Sequence, residues 1–310
     1  MSTPKYRLVT RSDFDGLASA VLLNELDLID DILFVHPKDM QDGKIEITPR
    51  DITTNLPYVP QAHLVFDHHA SETLRNEERA KNHIIHKDAP SAARVVYEAY
   101  GGSKRFPASF DAMMDAVDKG DSADFTLDEV LDPKGWVLLN YLMDSRTGLG
   151  RFRDFRISNY QLMLDLIHIC ATHTIEDILR LPDVQERVDT YYEHAERAKE
   201  QLLRCTTVHG NLAVLDLRNE ETIWATNRFM IYALFPQVNI SIHVLWGVRR
   251  ENIVFATGKS ILDRSSNTDV GALMLEYAGG GHTAAGTCQV PIENAERVLQ
   301  QLIKQINADG

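Results

Sequence analysis

The chain has 310 residues, of which 44% are hydrophobic and 25% charged, the profile of a globular protein long enough for two domains. A net charge of -13 works against non-specific binding of duplex nucleic acid, so a phosphate-bearing substrate has to be held by local basic groups or by metal. The three scattered thiols Cys170, Cys205 and Cys288 have no CxxC spacing and argue against a disulfide framework or a zinc ribbon. No apolar stretch approaches the ~20 residues of a membrane span, and a cytoplasmic protein without a membrane partner is expected.

In chain order, Tyr6 to Thr10 reads as a strand, Gly16 to Leu26 as a helix and Asp31 to His36 as a strand. Asp51 to Thr54 and His63 to Phe66 follow as strands, and Ser91 to Tyr100 as a helix. This alternation predicts an α/β domain with a largely parallel sheet, whose ligands bind beyond the carboxyl ends of the strands. From Ala108 to Leu181 the pattern is mostly helical, and Val184 to Arg204 is one long charged helix read as a connector. Beyond it, Leu212 to Leu217, Val238 to Trp246 and Asn252 to Thr257 are strand-like, and Val270 to Tyr277 is helical. The chain closes with a helix from Asn294 to Asn307 that carries Val298, Leu299, Leu302 and Ile306 on one face. The expected domains are therefore residues 1–182, a connector helix at 183–205, and a smaller α/β domain at 206–310.

Two segments placed just after strands carry metal-ligand chemistry. In Arg11-Ser12-Asp13-Phe14-Asp15-Gly16, a turn ending at Gly16 brings two carboxylates toward one ion, although either Asp equally well caps the helix that starts there. In Asp67-His68-His69, His68 is placed to bind metal, Asp67 to fix its tautomer or itself to reach the ion, and His69 to donate to a phosphoryl oxygen or a leaving group. Hard oxygens with imidazole nitrogen suit Mn²⁺ or Mg²⁺. Far downstream, Gly279-Gly280-Gly281-His282 offers backbone amides and an imidazole to a phosphoryl oxygen. Lys259, Ser260 and Arg264 lie in a polar stretch before it. Arg146, Arg151, Arg153 and Arg156 flank Thr147 to Gly150 and read as a solvated, salt-bridged loop in preference to a guide for phosphate. His83 and His86 fall on opposite faces of a strand, so no metal is assigned to them.

These motifs together resemble the DHH phosphoesterase superfamily, which includes RecJ-like nucleases, nano-RNA phosphodiesterases and exopolyphosphatases, and the resemblance covers nearly the whole chain. It implies a DHH domain followed by a DHH-associated substrate domain. It also implies metal ligands Asp13, Asp15, His68 and a helix-terminal Asp118, with Asp121 as the less favoured substitute, around one or two Mn²⁺ or Mg²⁺ ions. Gly279, Gly280, Gly281, His282, Arg264, Lys259 and Ser260 are the implied substrate-binding residues.

Two positions depart from the family pattern. Arg11 stands where a His is common, and Asn55 stands where a carboxylate normally bridges two metals, unless Asp51 fills that role. Arg11 then supplies fixed positive charge for a phosphate. The expected function is metal-dependent hydrolysis of a phosphodiester or phosphoanhydride in a short oligonucleotide, nucleotide or polyphosphate, with Asp67, His69 and Arg11 as catalytic groups. A phosphate-sensing protein with a degenerate metal site is the alternative that Arg11 and Asn55 favour, and a homodimer stays open.

Overall fold

The computed structural model describes residues 4–69 and 80–310. The chain divides into two compact units, one of Met1–Asp124 with Pro133–Thr190 and the other of Phe125–Asp132 with Tyr191–Gly310.

The first unit holds a sheet of β1 (Tyr6–Arg11), β2 (Ile29–Val35), β3 (Asp51–Thr54), β4 (Leu64–Asp67) and β5 (His83–Ile85). The strands are all parallel, in the order β2-β1-β3-β4-β5. Leu8 and Val9 on β1, Ile52 and Thr53 on β3, and Val65 and Phe66 on β4 are neighbours in sequence and all buried. Successive strand residues face opposite ways, so both faces of the sheet are covered, as a parallel sheet requires.

The helices of the first unit begin with α1 (Phe14–Glu25), α2 (Pro37–Gln41), α3 (Ala92–Ala99) and α4 (Asp111–Asp121). After the short α5 (Leu127–Leu131) come α6 (Gly135–Met143), α7 (Asn159–Thr172), α8 (Ile175–Arg180) and α9 (Pro182–Cys205). Helix α1 is buried from Phe14 through Leu23, because it packs against α3, α4 and α7 as well as the sheet. Helix starts follow capping chemistry. Ser91, Ser158 and Thr174 each accept an amide of the first turn of α3, α7 and α8, and Thr126 with Glu129 makes a reciprocal capping box on α5. The division between the units falls inside α9, after Thr190.

The second unit is built on a six-stranded mixed sheet. Its strands are β6 (Thr206–His209), β7 (Leu212–Asp216), β8 (Ile240–Trp246), β9 (Ile253–Lys259), β10 (Gly280–His282) and β11 (Ala285–Val290), in the order β10-β11-β9-β8-β7-β6. Helices α10 (Met230–Leu234), α11 (Val270–Leu275) and α12 (Ala295–Asp309) complete it. The expected stripe Val298, Leu299, Leu302 and Ile306 of α12 packs into a core with Ile240, Ile242, Val244, Phe255 and Cys288. Helix α5 belongs here because the buried Asn227 amide donates to Val130 O at 2.9 Å and to the Tyr191 hydroxyl at 3.0 Å.

The glycine segment, read from the sequence as a seat for a phosphoryl oxygen, forms a strand. Gly280–His282 pairs antiparallel with Ala285–Thr287 as β10 against β11. A Cβ on Gly279 would sit 2.3 Å from Thr287 O, and one on Gly281 would sit 2.3 Å from Ala285 O, so these two glycines are required by close strand packing. A Cβ on Gly280 would meet nothing within 4 Å. Among the described residues, no helix is long and apolar enough to cross a membrane.

Candidate active site

The polar residues gather at the carboxyl ends of β1, β3 and β4, where a parallel sheet presents its loops. The turn after β1 is dictated by Gly16, since a Cβ there would sit 1.9 Å from Arg11 O. Asp13 caps α1 by accepting the Gly16 amide at 3.0 Å, and the Arg11 Nε lies 2.9 Å from its other oxygen. Asn55, just past β3 in a left-handed conformation (φ 55°), directs its amide nitrogen to 3.4 Å from both Asp13 oxygens. Burial raises the pKa of Asp13 and Arg11 partly offsets the rise.

Asp15 is 2% exposed and spends both oxygens on the first turn of α3, accepting from Ala92 N at 3.0 Å and Ala93 N at 2.7 Å. Burial, followed by the charge of Asp121, pushes its pKa well above the ordinary carboxylate range. At the end of β4, one Asp67 oxygen accepts His68 N at 2.8 Å, His69 N at 3.2 Å and the His69 ring at 2.7 Å. Among the described residues, its other oxygen is buried without a hydrogen-bond partner.

His68 turns Nδ1 to Ala89 O at 3.1 Å, a contact that fixes the tautomer and sends Nε2 inward. Nε2 stands 3.0 Å from an Asp121 oxygen, in ion-pair contact but off the line of a well-formed hydrogen bond. Burial opposes charge on this ring, yet Asp121, Asp15 and Asp67 outweigh it and raise the pKa to about 9. Conversely, Asp121 is held below the usual carboxylate range against its own burial, chiefly by His68. Donor atoms of Asp15, His68 and Asp121 all lie within 4.8 Å of one another.

The structure therefore brings Asp121, the last residue of α4, to the position expected of Asp118. Asp118 lies one helical turn earlier and is drawn off by α3: it accepts Ser91 Oγ at 2.7 Å and Arg94 Nε at 2.7 Å, with Arg94 Nη2 at 2.5 Å. Both of its oxygens are thereby engaged. Asp51 sits at the opposite end of β3 from Asn55, in a two-point pair with Arg7 at 2.7 and 2.9 Å, which leaves Asn55 alone at the site end of that strand.

In the second unit, the expected substrate residues divide in two. Ser260 is 3% exposed and its hydroxyl oxygen accepts the amides of Leu262 and Asp263 at 3.1 and 3.0 Å, so it closes a turn. Lys259 donates to Ser266 O at 3.1 Å. Gly279 and Gly281 serve strand packing, as above. Gly281, His282 and Arg264 are exposed, and Gly280, half-buried, has open space at its Cα.

A residue read from the sequence as part of a solvated loop lies within electrostatic reach of these carboxylates. The charge of Arg146 acts on both Asp13 and Asp121. Its signal lies in α6 packing on α4: a Cβ on Gly120 would sit 2.7 Å from the Asn140 carboxamide, so the helix end bearing Asp121 adjoins the helix end that leads into Arg146.

Among solved structures the chain resembles a pGpG-specific phosphodiesterase, PggH from Vibrio cholerae, at 65% identity, covering 99% of this chain and 100% of that one with a TM-score of 0.85. It also resembles the DHH domain of a protein described as belonging to a family of ribosomal proteins, at 13% identity over 98% of this chain and 87% of that one, with a TM-score of 0.58. A third likeness is to Mn²⁺-bound RecJ from Thermus thermophilus, at 13% identity over 98% of this chain and 52% of that one, again with a TM-score of 0.58. Neither a scan of protein-family models nor a search of curated proteins returned a match. With the fold of DHH domains and a phosphodiesterase relative 65% identical along its full length, the chain belongs to the DHH phosphoesterase superfamily and is a hydrolase of phosphoester bonds.

Proposed function

We propose that the enzyme is a divalent-metal-dependent phosphodiesterase that cleaves the internal diester of a 5′-phosphorylated dinucleotide of the pGpG kind. The observation that carries the metal is the convergence of donor atoms of Asp15, His68 and Asp121 within 4.8 Å of one another, with a buried Asp67 oxygen on β4 that has no partner among the described residues. Carboxylates crowded in this way repel one another when dry, and a dication relieves the repulsion. Two oxygen donors and an imidazole fit Mn²⁺ or Mg²⁺.

The bound ion supplies a Lewis acid that lowers the pKa of water and offsets charge on the phosphoryl group. The protein's groups do the rest. Ala89 O and Asp67 hold the His68 ring and the backbone at residues 68 and 69. His69, tethered through Nδ1 to Asp67, presents Nε2 as a proton carrier to the leaving oxygen. Arg11, held to Asp13, offers the remaining guanidinium nitrogens to non-bridging oxygens. Asp13 serves less as a ligand than as the anchor of Arg11 and Asn55. Gly280, His282 and Arg264 are the candidates for holding the rest of the substrate.

The substrate reading rests on the 65% identical relative and on a net charge of -13, which disfavours long polyanions. The test is product analysis with pGpG, a pentanucleotide and polyphosphate, each after chelation and after Mn²⁺ is restored. Hydrolysis of pGpG that vanishes with chelator and returns with Mn²⁺ supports the reading. Turnover undiminished in chelator, or faster on the longer chains, overturns it.

A further inference from the structure

Arg146 follows α6, in a turn with little freedom. Asp144 N donates to Asn140 O at 3.0 Å, Thr147 N donates to Asp144 O at 3.0 Å, and the Thr147 hydroxyl donates to Tyr141 O at 2.6 Å in the interior. The Asp144 carboxylate takes both the backbone amide of Arg146, at 2.9 Å, and its Nε, at 2.7 and 3.0 Å. That grip occupies the Nε side of the guanidinium, on a side chain 46% exposed.

Asn140, whose carbonyl accepts Asp144 N at the start of this turn, packs on Gly120, next to Asp121. Arg146 is within electrostatic reach of Asp13 and Asp121, the two carboxylates that also feel Arg11, yet its ion-pair partner is Asp144 and neither of those two. A flexible arginine facing two carboxylates would close onto them. Held by Asp144 instead, its guanidinium keeps a fixed positive charge near those carboxylates that suits an anion also held by Arg11.

We propose that Arg146 is a substrate-binding residue that, opposite Arg11, grips a non-bridging oxygen of the scissile phosphodiester. This rests on the proposed phosphodiesterase reading and adds a second guanidinium to it. Charge builds on those oxygens as the diester is attacked, so a fork already fixed in place stabilises the transition state without reorganising.

The test compares the parent with Arg146→Ala and Arg146→Lys, reading kcat/KM on pGpG at saturating Mn²⁺, Mn²⁺ affinity and the melting temperature. Loss of one preorganised donor predicts a fall of about 100-fold in kcat/KM for the Ala variant. The Lys variant, which keeps the charge and loses the fork, is expected to fall by about 10-fold. Mn²⁺ affinity should be unchanged or tighter, because a cation near Asp13 and Asp121 has been removed. Millimolar methylguanidine should restore part of the Ala variant's activity.

A kcat/KM within threefold of the parent overturns the inference, as does a loss of activity matched by an equal loss of Mn²⁺ binding. Should the Ala variant fail to fold, the Lys variant decides on the same two readings. A parent inert on pGpG but active on bis(p-nitrophenyl) phosphate overturns the dinucleotide reading alone, and Arg146 is then judged on the diester that is cleaved.

Discussion

Replacing Asp121 and Asp118 separately by Asn asks which carboxylate of α4 is the metal ligand, because each change removes a charge at nearly constant shape. The two lie three residues apart on one helix face, and the structure gives them opposite duties. Asp121→Asn takes away the group 3.0 Å from His68 Nε2 and one of the three donors clustered within 4.8 Å. Changes in the shell around metal ligands cost 10–100-fold in affinity, so loss of a ligand itself should weaken Mn²⁺ binding and kcat/KM by ~100-fold or more. The His68 pKa should also fall from about 9 toward the ordinary imidazole value of 6.5, since Asp121 is the chief group raising it. Asp118→Asn breaks a half-buried pair with Arg94, with side chains 17% and 22% exposed, and weakens a hydrogen bond from Ser91. An interaction of that burial is worth ~1–3 kcal/mol, or a drop in melting temperature of ~2–10 °C in a chain of this size. Mn²⁺ titration calorimetry, NMR titration of the His68 ring and thermal melts read all three quantities. Mn²⁺ binding lost in Asp118→Asn and retained in Asp121→Asn would refute the assignment.

Metal uptake should release a proton. Below a pKa of about 9 the His68 ring is protonated in the metal-free protein, and binding requires it neutral, so apparent Mn²⁺ affinity should fall about tenfold per pH unit as pH drops below 9. Calorimetry at pH 7 in two buffers of different ionisation heat counts the proton, and a count of zero contradicts the His68 role. In the second unit, Gly279→Ala forces a Cβ to within 2.3 Å of Thr287 O and 2.6 Å of the buried Cys288 side chain, and should cost ~1–3 kcal/mol in a denaturant melt. Gly280→Ala meets no atom within 4 Å, so stability should hold while kcat/KM falls where substrate approaches that backbone. Parent activity in Gly280→Ala would remove this residue from substrate binding.

Much of the site's location was legible because the chemistry sits where apolar runs stop. β1 ends at Arg11, just before Asp13, and β4 ends at Asp67, so strand periodicity alone places two acidic motifs at one edge of a parallel sheet. The choice between Asp118 and Asp121 was not legible in this way. Both share a helix face, and what separates them is Arg94, which comes from another helix and reaches only one of them. The glycine run announced a close approach of backbone, but the sequence does not say to what; Gly279 and Gly281 approach a neighbouring strand, and Gly280 is open. Arg146 was hidden for a third reason. Its neighbours in sequence make it look like part of a charged loop, and only the small side of Gly120, which admits Asn140, carries that loop to the acidic cluster.

The two departures from the family pattern become one change when their charges are counted. Asn55 in place of a bridging carboxylate removes a negative charge, and Arg11 in place of a neutral imidazole adds a positive one. Together they supply the charge of one divalent ion, at the side of the cluster where Asp13 stands. On the proposed reading, a single ion at Asp15, His68 and Asp121 would bring such a pocket near neutrality, whereas a second ion would add positive charge that nearby carboxylates would no longer balance. On the same reading, the guanidinium would differ from an ion in one respect that bears on the substrate. A metal can exchange water, whereas the arginine presents a fixed planar fork matched to phosphate oxygens. Arg146, held back by Asp144, offers a second fork of the same kind. On the proposed reading, the pair would shift the work of the site from generating nucleophile toward gripping phosphate, as a short anionic substrate needs in a protein whose overall charge repels it.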